Sequence, residues 1–373
     1  MTTQARNKGG RGRPAIWLLI AMAGVAVVGG VVGGVIVHDF ESPSSSPGAS
    51  SGTSASAGGP QSCQISQVAQ KTLPSVVTIG AKGATAGGTG SGEIIKSDGY
   101  ILTNNHVVAP AAGGGGALTV TFSDGKSAAA TLVGRDPLTD LAVIKVNETG
   151  LPAIPVGSSG SLTVGQPVVV LGAPLGLSST VTSGIVSALD RTIHVPGENA
   201  QSALLIDAVQ TDAAINPGNS GGALVNCEGA FVGVPTAGAT VPSESGGSSG
   251  GSIGLGFAIP ADLAIPAADE IISTGKVSHA YLGLAAAPVA ANAAPVNGVA
   301  EGLIVSGVDA SGPAAEAGLA AGDLITSIDG QPAVSTDQVV ELTLRKKPGD
   351  KVEVGYTRHG APRQATLTLI PQP

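Results

Sequence analysis

Between Ser75 and Pro260 the apolar residues come in short runs separated by Gly, Pro, Asn and Asp. Val76–Ile79, Ile94–Ile95, Tyr100–Leu102, Leu118–Phe122, Leu141–Val146, Val168–Leu171, Val181–Val186, Leu204–Ile206 and Phe231–Val234 are mostly rich in β-branched residues, which predicts strands. Ser97-Asp98-Gly99 and Ser123-Asp124-Gly125 read as tight turns between them. No helical periodicity separates the runs, so crossover helices have no room and the region is expected to fold as antiparallel barrels or a sandwich. The first helix is expected after Pro260, capped by Asp262, with Pro266 in or near its first turn, ending at Gly275. Beyond Lys276 a mixed pattern begins. It has strands near Leu303–Val308, Leu324–Ile328, Lys351–Tyr356 and Ala365–Leu369, a short helix at Ala314–Gly318 and a longer one at Thr336–Leu344, which makes a separate small domain.

Three stretches carry no such pattern. Residues 38–62, above all Ser42–Ser62, are Ser, Gly, Ala and Pro with almost no large apolar side chain, and read as a flexible linker. Ala109–Ala117 and Val241–Ser252 are Gly- or Ser/Gly-rich insertions inside the β region and read as surface loops.

At the other extreme, Ile16–Val37 is an uncharged run of 22 residues. As a helix it would span about 33 Å, enough for a bilayer. Arg6, Lys8, Arg11 and Arg13 precede it in the tail 1–15, which puts the N-terminus in the cytoplasm and the rest outside. A cleaved signal peptide is the rival reading, but the run is long for one and Val37-His38-Asp39-Phe40 is a poor cleavage site. With those four cations set aside, the body is more acidic than the overall net charge of −8, which argues against nucleic acid as a partner. Two cysteines cannot build a Cys-based zinc site, and HExxH, CxxC and P-loop patterns are absent, so neither metal nor cofactor is implied. Cys63 and Cys227 both fall on the outer side of the run, where a disulfide persists; two buried thiols are the alternative.

Five histidines limit the choice of a general base. His38 abuts the apolar run, His194 lies in a polar loop, His279 in a joint between domains and His359 in a hairpin turn, whereas His106 follows Ile101-Leu102-Thr103-Asn104-Asn105 at the end of a strand. Asn216-Pro217-Gly218-Asn219-Ser220-Gly221-Gly222 is a glycine-rich turn carrying one serine. Such a turn can aim two main-chain N–H groups at the site beside the hydroxyl, as acyl transfer requires; an ordinary hairpin with a turn serine is the bland reading. Asp140, just before the strand Leu141–Val146, could orient the imidazole, and on spacing alone Asp136 or Asp212 could as well.

Thr103-Asn104-Asn105-His106-Val107-Val108, Asp140-Leu141-Ala142-Val143 and Thr211–Gly222 occur in this order and resemble the three catalytic blocks of the HtrA (DegP-like) serine proteases. Thr182–Ser187 and Gly256–Pro260 resemble strands of the same family, and Ser311–Ile325 with Ile328-Asp329-Gly330 resembles its PDZ signature. The resemblance covers about residues 65–370. It implies a mainly β fold, with a chymotrypsin-like pair of six-stranded antiparallel barrels over 63–277 and an α+β PDZ domain over 278–373, behind the N-terminal transmembrane helix 16–37. It implies His106 as general base, Asp140 as its orienting carboxylate, Ser220 as nucleophile, and an oxyanion hole at Gly218-Asn219-Ser220 built from the Gly218 and Ser220 N–H groups. Thr236-Ala237-Gly238 would pair with substrate backbone, although Pro235 stands where the family has Asn. Tyr281-Leu282-Gly283-Leu284 would be the carboxylate-binding loop and first groove strand of the PDZ domain, which binds C-terminal peptides.

The resemblance therefore implies a membrane-anchored serine endopeptidase acting outside the cytoplasm on unfolded or misfolded proteins in quality control and stress response. Family members form trimers through aromatic contacts, and this chain has few aromatics to offer. In the family the oxyanion-hole peptide flips between working and idle arrangements, and the loop Asp190–Ser202 is expected to take part in that switch. A chaperone or PDZ scaffold on a protease fold is the competing reading.

Overall fold

The computed structural model describes residues 63–113, 115–173, 179–196, 202–238, 252–289 and 301–373. The run Ile16–Val37, the linker up to residue 62 and nearly all of Val241–Ser252 lie outside them. Among the described residues no helix is long and apolar enough to cross a membrane.

Strands β1 (Val76–Lys82), β2 (Gly87–Lys96), β3 (Tyr100–Asn104), β4 (Ala117–Thr121), β5 (Ser127–Asp136) and β6 (Leu141–Val146) close a barrel in the order β1-β2-β3-β6-β5-β4. A second barrel closes in the order β10-β11-β12-β9-β8-β7, from β7 (Pro167–Gly172), β8 (Thr180–Pro196), β9 (Ser202–Thr211), β10 (Ala223–Val225), β11 (Phe231–Gly238) and β12 (Gly256–Pro260). Successive strand residues face opposite sides. In β6, Ala142, Ile144 and Val146 fill the first barrel while Leu141 and Val143 point out of it. Those two meet Leu171, Leu205 and Phe231 in a core shared by both barrels. This is why β6 opens on an unbroken apolar run, Leu141–Ile144, rather than an alternating one. The two predicted turns are present, with Gly99 N–H donating to Lys96 C=O and Gly125 N–H to Phe122 C=O.

Two helices precede Pro260, against expectation. Helix α1 (Ile65–Thr72) carries the start of the folded part, and Cys63 beside it is disulfide-bonded to Cys227, Cα–Cα 5.1 Å. Helix α2 (Asn105–Ala112) replaces both the strand end proposed for His106 and the first part of the expected Ala109–Ala117 loop. Its Val107 and Val108 are buried in the first barrel, so packing rather than propensity fixes it. Helix α3 (Ala261–Thr274) ends as expected at Gly275, φ +84°. Pro266 lies deeper in it than the first turn, and Asp262 does not cap it. The Asp262 carboxylate instead accepts from Gly160 N–H and Ser158 Oγ. Burial pushes that carboxyl up, but these donors outweigh burial and hold it below the usual range. Residues Asp190–Pro196, expected as loop, extend β8 and pair with β9, and His194 sits within that strand.

The C-terminal unit is a sheet in the order β14-β15-β16-β18-β19, from β14 (Leu284–Pro288), β15 (Leu303–Val308), β16 (Leu324–Ile328), β18 (Lys351–Arg358) and β19 (Ala361–Thr368). The short strand β17 (Gln331–Pro332) pairs with β16, and β13 (Ala280–Tyr281) and β20 (Ile370–Pro371) form a separate two-stranded sheet. Helices α4 (Pro313–Glu316) and α5 (Thr336–Arg345) pack with the larger sheet over a separate core around Leu303, Ile325, Val352 and Leu367. Ser335 and Gln338 form a reciprocal capping box at the start of α5.

Candidate active site

The register of β3 on β6 pairs Asn104 with Leu141, so Asp140, one residue earlier, faces the start of α2. The first turn of a helix has N–H groups without intrahelical partners. Here Asn105 N–H donates to the Asp140 carbonyl at 3.0 Å and His106 N–H to Asp140 Oδ1 at 3.0 Å. Asn104 Nδ2 donates to the same carbonyl at 2.9 Å. Asp140 meets these partners at φ +57°, a left-handed conformation that Asp tolerates better than most residues. Its carboxylate also lies 2.8 Å from His106 Nδ1 and accepts from Thr236 Oγ1 at 2.5 Å. A carboxylate only accepts, so the imidazole proton sits on Nδ1 and Nε2 keeps its lone pair. The carboxylate is 4% exposed and the imidazole 40% exposed, so the ring faces the cleft and the acid lies behind it.

Ser220 arrives from the other barrel. Asn219 N–H donates to Asn216 C=O and Gly222 N–H to Asn219 C=O, both at 3.0 Å, which winds the turn tightly. Gly218 at φ +102° and Gly221 at φ +79° supply the backbone conformations it needs. A Cβ on Gly221 would fall 2.3 Å from Thr103 Oγ1, so only glycine lets the turn approach β3 this closely. The Ser220 hydroxyl donates to the Thr236 carbonyl at 3.1 Å, not to the imidazole. Among the described residues neither Gly218 N–H nor Ser220 N–H has an acceptor. Asn219, between them, turns its N–H to Asn216 and its side-chain amide to Ala214 C=O.

Thr236 therefore touches both halves of the site, through its hydroxyl to Asp140 and its carbonyl to Ser220. The register of β11 on β12 slips between Pro235 and Ala237, and this bulge redirects the Thr236 side chain inward. That contact is the functional feature the sequence reading lacked, because it assigned Thr236 only a backbone role. β10 covers β11 only over Phe231–Gly233, which leaves 236–238 without a strand on that side among the described residues. The other two carboxylates that spacing left open lie elsewhere. Asp136 pairs with His279 Nε2 at 2.9 Å and accepts from Thr139 Oγ1, while Asp212 accepts from Ile185 N–H at 2.7 Å. Among the described residues no cluster of His, Cys, Asp and Glu could hold a metal ion.

In the C-terminal unit, Leu282 C=O accepts from Ala314 N–H and Gly283 C=O from Asp309 N–H, both at 2.9 Å. Tyr281 Oη donates to Asp309 Oδ2 at 3.2 Å, so Tyr281-Leu282-Gly283 is a pinned loop leading into β14, which is an edge strand of its sheet.

A histidine, a buried aspartate and a turn serine from two barrels, flanked by free N–H donors, is the arrangement of a trypsin-like hydrolase. Residues 90–234 match the trypsin-like peptidase domain family and residues 280–369 the PDZ domain family. The chain is 45% identical over 312 residues to the serine protease PepD of Mycobacterium tuberculosis, covering 82% of this chain and 66% of that one. It is 42% identical over 282 residues to a probable periplasmic DegP-like serine endoprotease of Halomonas elongata, covering 75% and 56%. The chain thus spans about three fifths of the length of these curated relatives. Among solved structures it resembles the HtrA-type protease AlgW with a tripeptide, with TM-score 0.66 and 37% identity, covering 83% of this chain and 97% of that one. A serine-to-alanine form of AlgW with a decapeptide gives TM-score 0.67 at 35% identity over 83% and 98%. Two closed barrels with a PDZ unit after them, the His106–Asp140 pair linked to Ser220 through Thr236, and these likenesses together establish that the chain belongs to the HtrA-type, trypsin-like serine protease family.

Proposed function

We propose that the chain is a serine endopeptidase that cuts extended segments of unfolded or damaged proteins. Ser220 Oγ attacks the scissile carbonyl while His106 Nε2 takes its proton. The Gly218 and Ser220 N–H groups receive the oxyanion, and His106 then returns the proton to the leaving amine. Water, activated by the same imidazole, releases the acyl group. The observation that carries this reading is the pair of N–H groups at Gly218 and Ser220 that have no acceptor among the described residues, with Ser220 linked through Thr236 to the Asp140 that fixes the imidazole tautomer. The hydroxyl turns to Thr236 in this structure; catalytic hydrogen bonds commonly tighten only when substrate is bound. Substrate would add a strand along Thr236-Ala237-Gly238, which explains a requirement for extended chains. The edge strand β14, reached through Tyr281-Leu282-Gly283-Leu284, would take a C-terminal peptide in the same manner and recruit or activate the protease.

Residues 16–37 would hold the enzyme in the cytoplasmic membrane with its domains outside. The Cys63–Cys227 bridge supports an oxidising compartment. Homotrimers through the protease domain remain part of the proposal. Casein digestion tests it directly. Ser220→Ala should lower the rate by at least about 10⁴-fold with the fold intact, and a labelled fluorophosphonate should attach to Ser220. Equal digestion by the variant would favour a chaperone or scaffold role.

A further inference from the structure

Ser91, in the middle of β2, is completely buried and makes four hydrogen bonds. Its N–H donates to Ser220 C=O at 2.9 Å. Its Oγ donates to Gly218 C=O at 2.5 Å and accepts from Ala173 N–H at 2.8 Å. Its C=O accepts from Thr103 Oγ1 at 2.6 Å. A residue of the first barrel thus holds, from behind, two carbonyls of the nucleophile turn in the second.

In a trans peptide the C=O and N–H point in opposite directions, so fixing a carbonyl fixes where the amide faces. The Asn216–Pro217 carbonyl accepts from Asn219 N–H. The Gly218–Asn219 peptide is held at both ends, by Ser91 Oγ and by Asn216 C=O. The Asn219–Ser220 carbonyl accepts from Gly222 N–H, which sends Ser220 N–H the other way. The Ser220–Gly221 peptide is held by Ser91 N–H and by Pro235 C=O. Within the turn Asn216–Gly222, among the described residues, only the Pro217–Gly218 peptide has neither group bonded. Gly218 N–H belongs to that peptide, and its orientation depends on the neighbour that Ser91 clamps.

We propose that Ser91 is a positioning residue of the oxyanion hole: its hydroxyl, oriented by Ala173 N–H, holds the Gly218–Asn219 peptide so that the Gly218 and Ser220 N–H groups converge in front of Ser220. A hydroxyl is required because the same atom must accept from Ala173 N–H, just after β7, and donate to Gly218 C=O in the nucleophile turn. Full burial keeps water from substituting for it. Thr keeps the hydroxyl but adds a methyl in tight quarters, since even a Cβ on Gly222 would stand 3.2 Å from Ser91 Cβ. This inference rests on the reading of Ser220 as nucleophile.

The test uses the full chain with Ser91→Ala and Ser91→Cys, which removes the hydroxyl or replaces it with a weaker donor. On a chromogenic peptide, Ser91→Ala should lower kcat about 10–100-fold, somewhat less than deletion of a hole donor, and change KM by less than about twofold. Inhibition by a peptide boronic acid, whose tetrahedral adduct places an oxygen in the hole, should weaken by the same factor as kcat/KM. Inhibition by the cleaved product peptide should not change. Ser91→Cys should fall between wild type and Ser91→Ala. Unchanged kcat in Ser91→Ala overturns the proposal, as does parallel weakening of boronate and product, which would mean a damaged pocket. Failure of both variants to fold also overturns it, because the claim is of a local effect. The Ser220→Ala control separates the two levels: wild-type activity that survives Ser220→Ala sinks the nucleophile reading, whereas activity lost there but retained in Ser91→Ala sinks only the role of Ser91.

Discussion

Asp140 has all three of its oxygens engaged: two carboxylate oxygens meet His106 N–H, His106 Nδ1 and Thr236 Oγ1, and its carbonyl takes Asn104 and Asn105. An amide at this position would keep the shape but present an NH₂ to one of those donors. Asp140→Asn should therefore leave the fold intact and lower kcat by about 10⁴-fold through the wrong imidazole tautomer; steady-state kinetics beside a thermal melt check both halves. Thr236→Val removes one donor to Asp140 and keeps the carbonyl that meets Ser220. A drop in kcat of roughly fivefold is expected, the worth of one hydrogen bond near 1 kcal/mol, with recovery in Thr236→Ser. His106, Asp140 and Ser220 stood out as candidates because each sits in a distinctive sequence block, and the His106–Asp140 contact follows from two of those blocks. The Thr236 hydroxyl contact was not, since it depends on a bulge and a register slip leaves no mark in a run such as Val234-Pro235-Thr236-Ala237.

At the scale of elements, local composition misleads where packing decides. Helix α2 contains Val107, Val108 and Pro110 in eight residues, a poor helical sequence, yet it forms because its first turn is satisfied by Asp140 and its valines fill the barrel. Strand β5 escaped the sequence reading because Ser127-Ala128-Ala129-Ala130 offers no contrast between its two faces. Strand β2 carries the opposite anomaly. Glu93 is fully buried between Val76 and Leu102 on the side facing the shared core, and neither carboxylate oxygen has a partner. Burial pushes its carboxyl well above the usual range, and its own main-chain N–H opposes this only weakly. The folded state then binds the proton more tightly than the unfolded chain. Stability is free of this penalty below the unfolded value near 4.3 and falls as pH rises from there toward the raised native value. Glu93→Leu should gain about 1–3 kcal/mol, with a larger gain at pH 8 than at pH 4 in paired urea titrations. An equal gain at both pH values would remove ionisation as the cause.

At the scale of the whole molecule, polar pairs of unequal weight join the PDZ unit to the protease barrels among the described residues. Arg345 meets Asp207 through two bonds of 2.6 Å, and His194 meets Asp337 at 3.0 Å, but both pairs are solvent-exposed and each contributes little. His279 Nε2 meets Asp136 at 2.9 Å in a buried setting. Asp136 opens the turn Pro137-Leu138-Thr139 that ends at Asp140, and the same turn is tied to β9 where Leu204 N–H donates to Leu138 C=O. The histidine was legible as lying in a joint; its partner was not, because Asp136 is far away in sequence. Burial decides the ranking. His279→Ala leaves a buried carboxylate with one partner fewer, a loss of about 1–3 kcal/mol, and should speed amide hydrogen exchange at Leu138, Thr139 and Asp140 next to the active site. Arg345→Ala should speed exchange only in α5 and the adjoining part of β9, and leave peptide cleavage within about twofold of wild type. If Arg345→Ala loosened the Asp136–Asp140 turn as much as His279→Ala does, the docking would act as one cooperative interface, and the buried pair would have no special hold on the residue that orients His106.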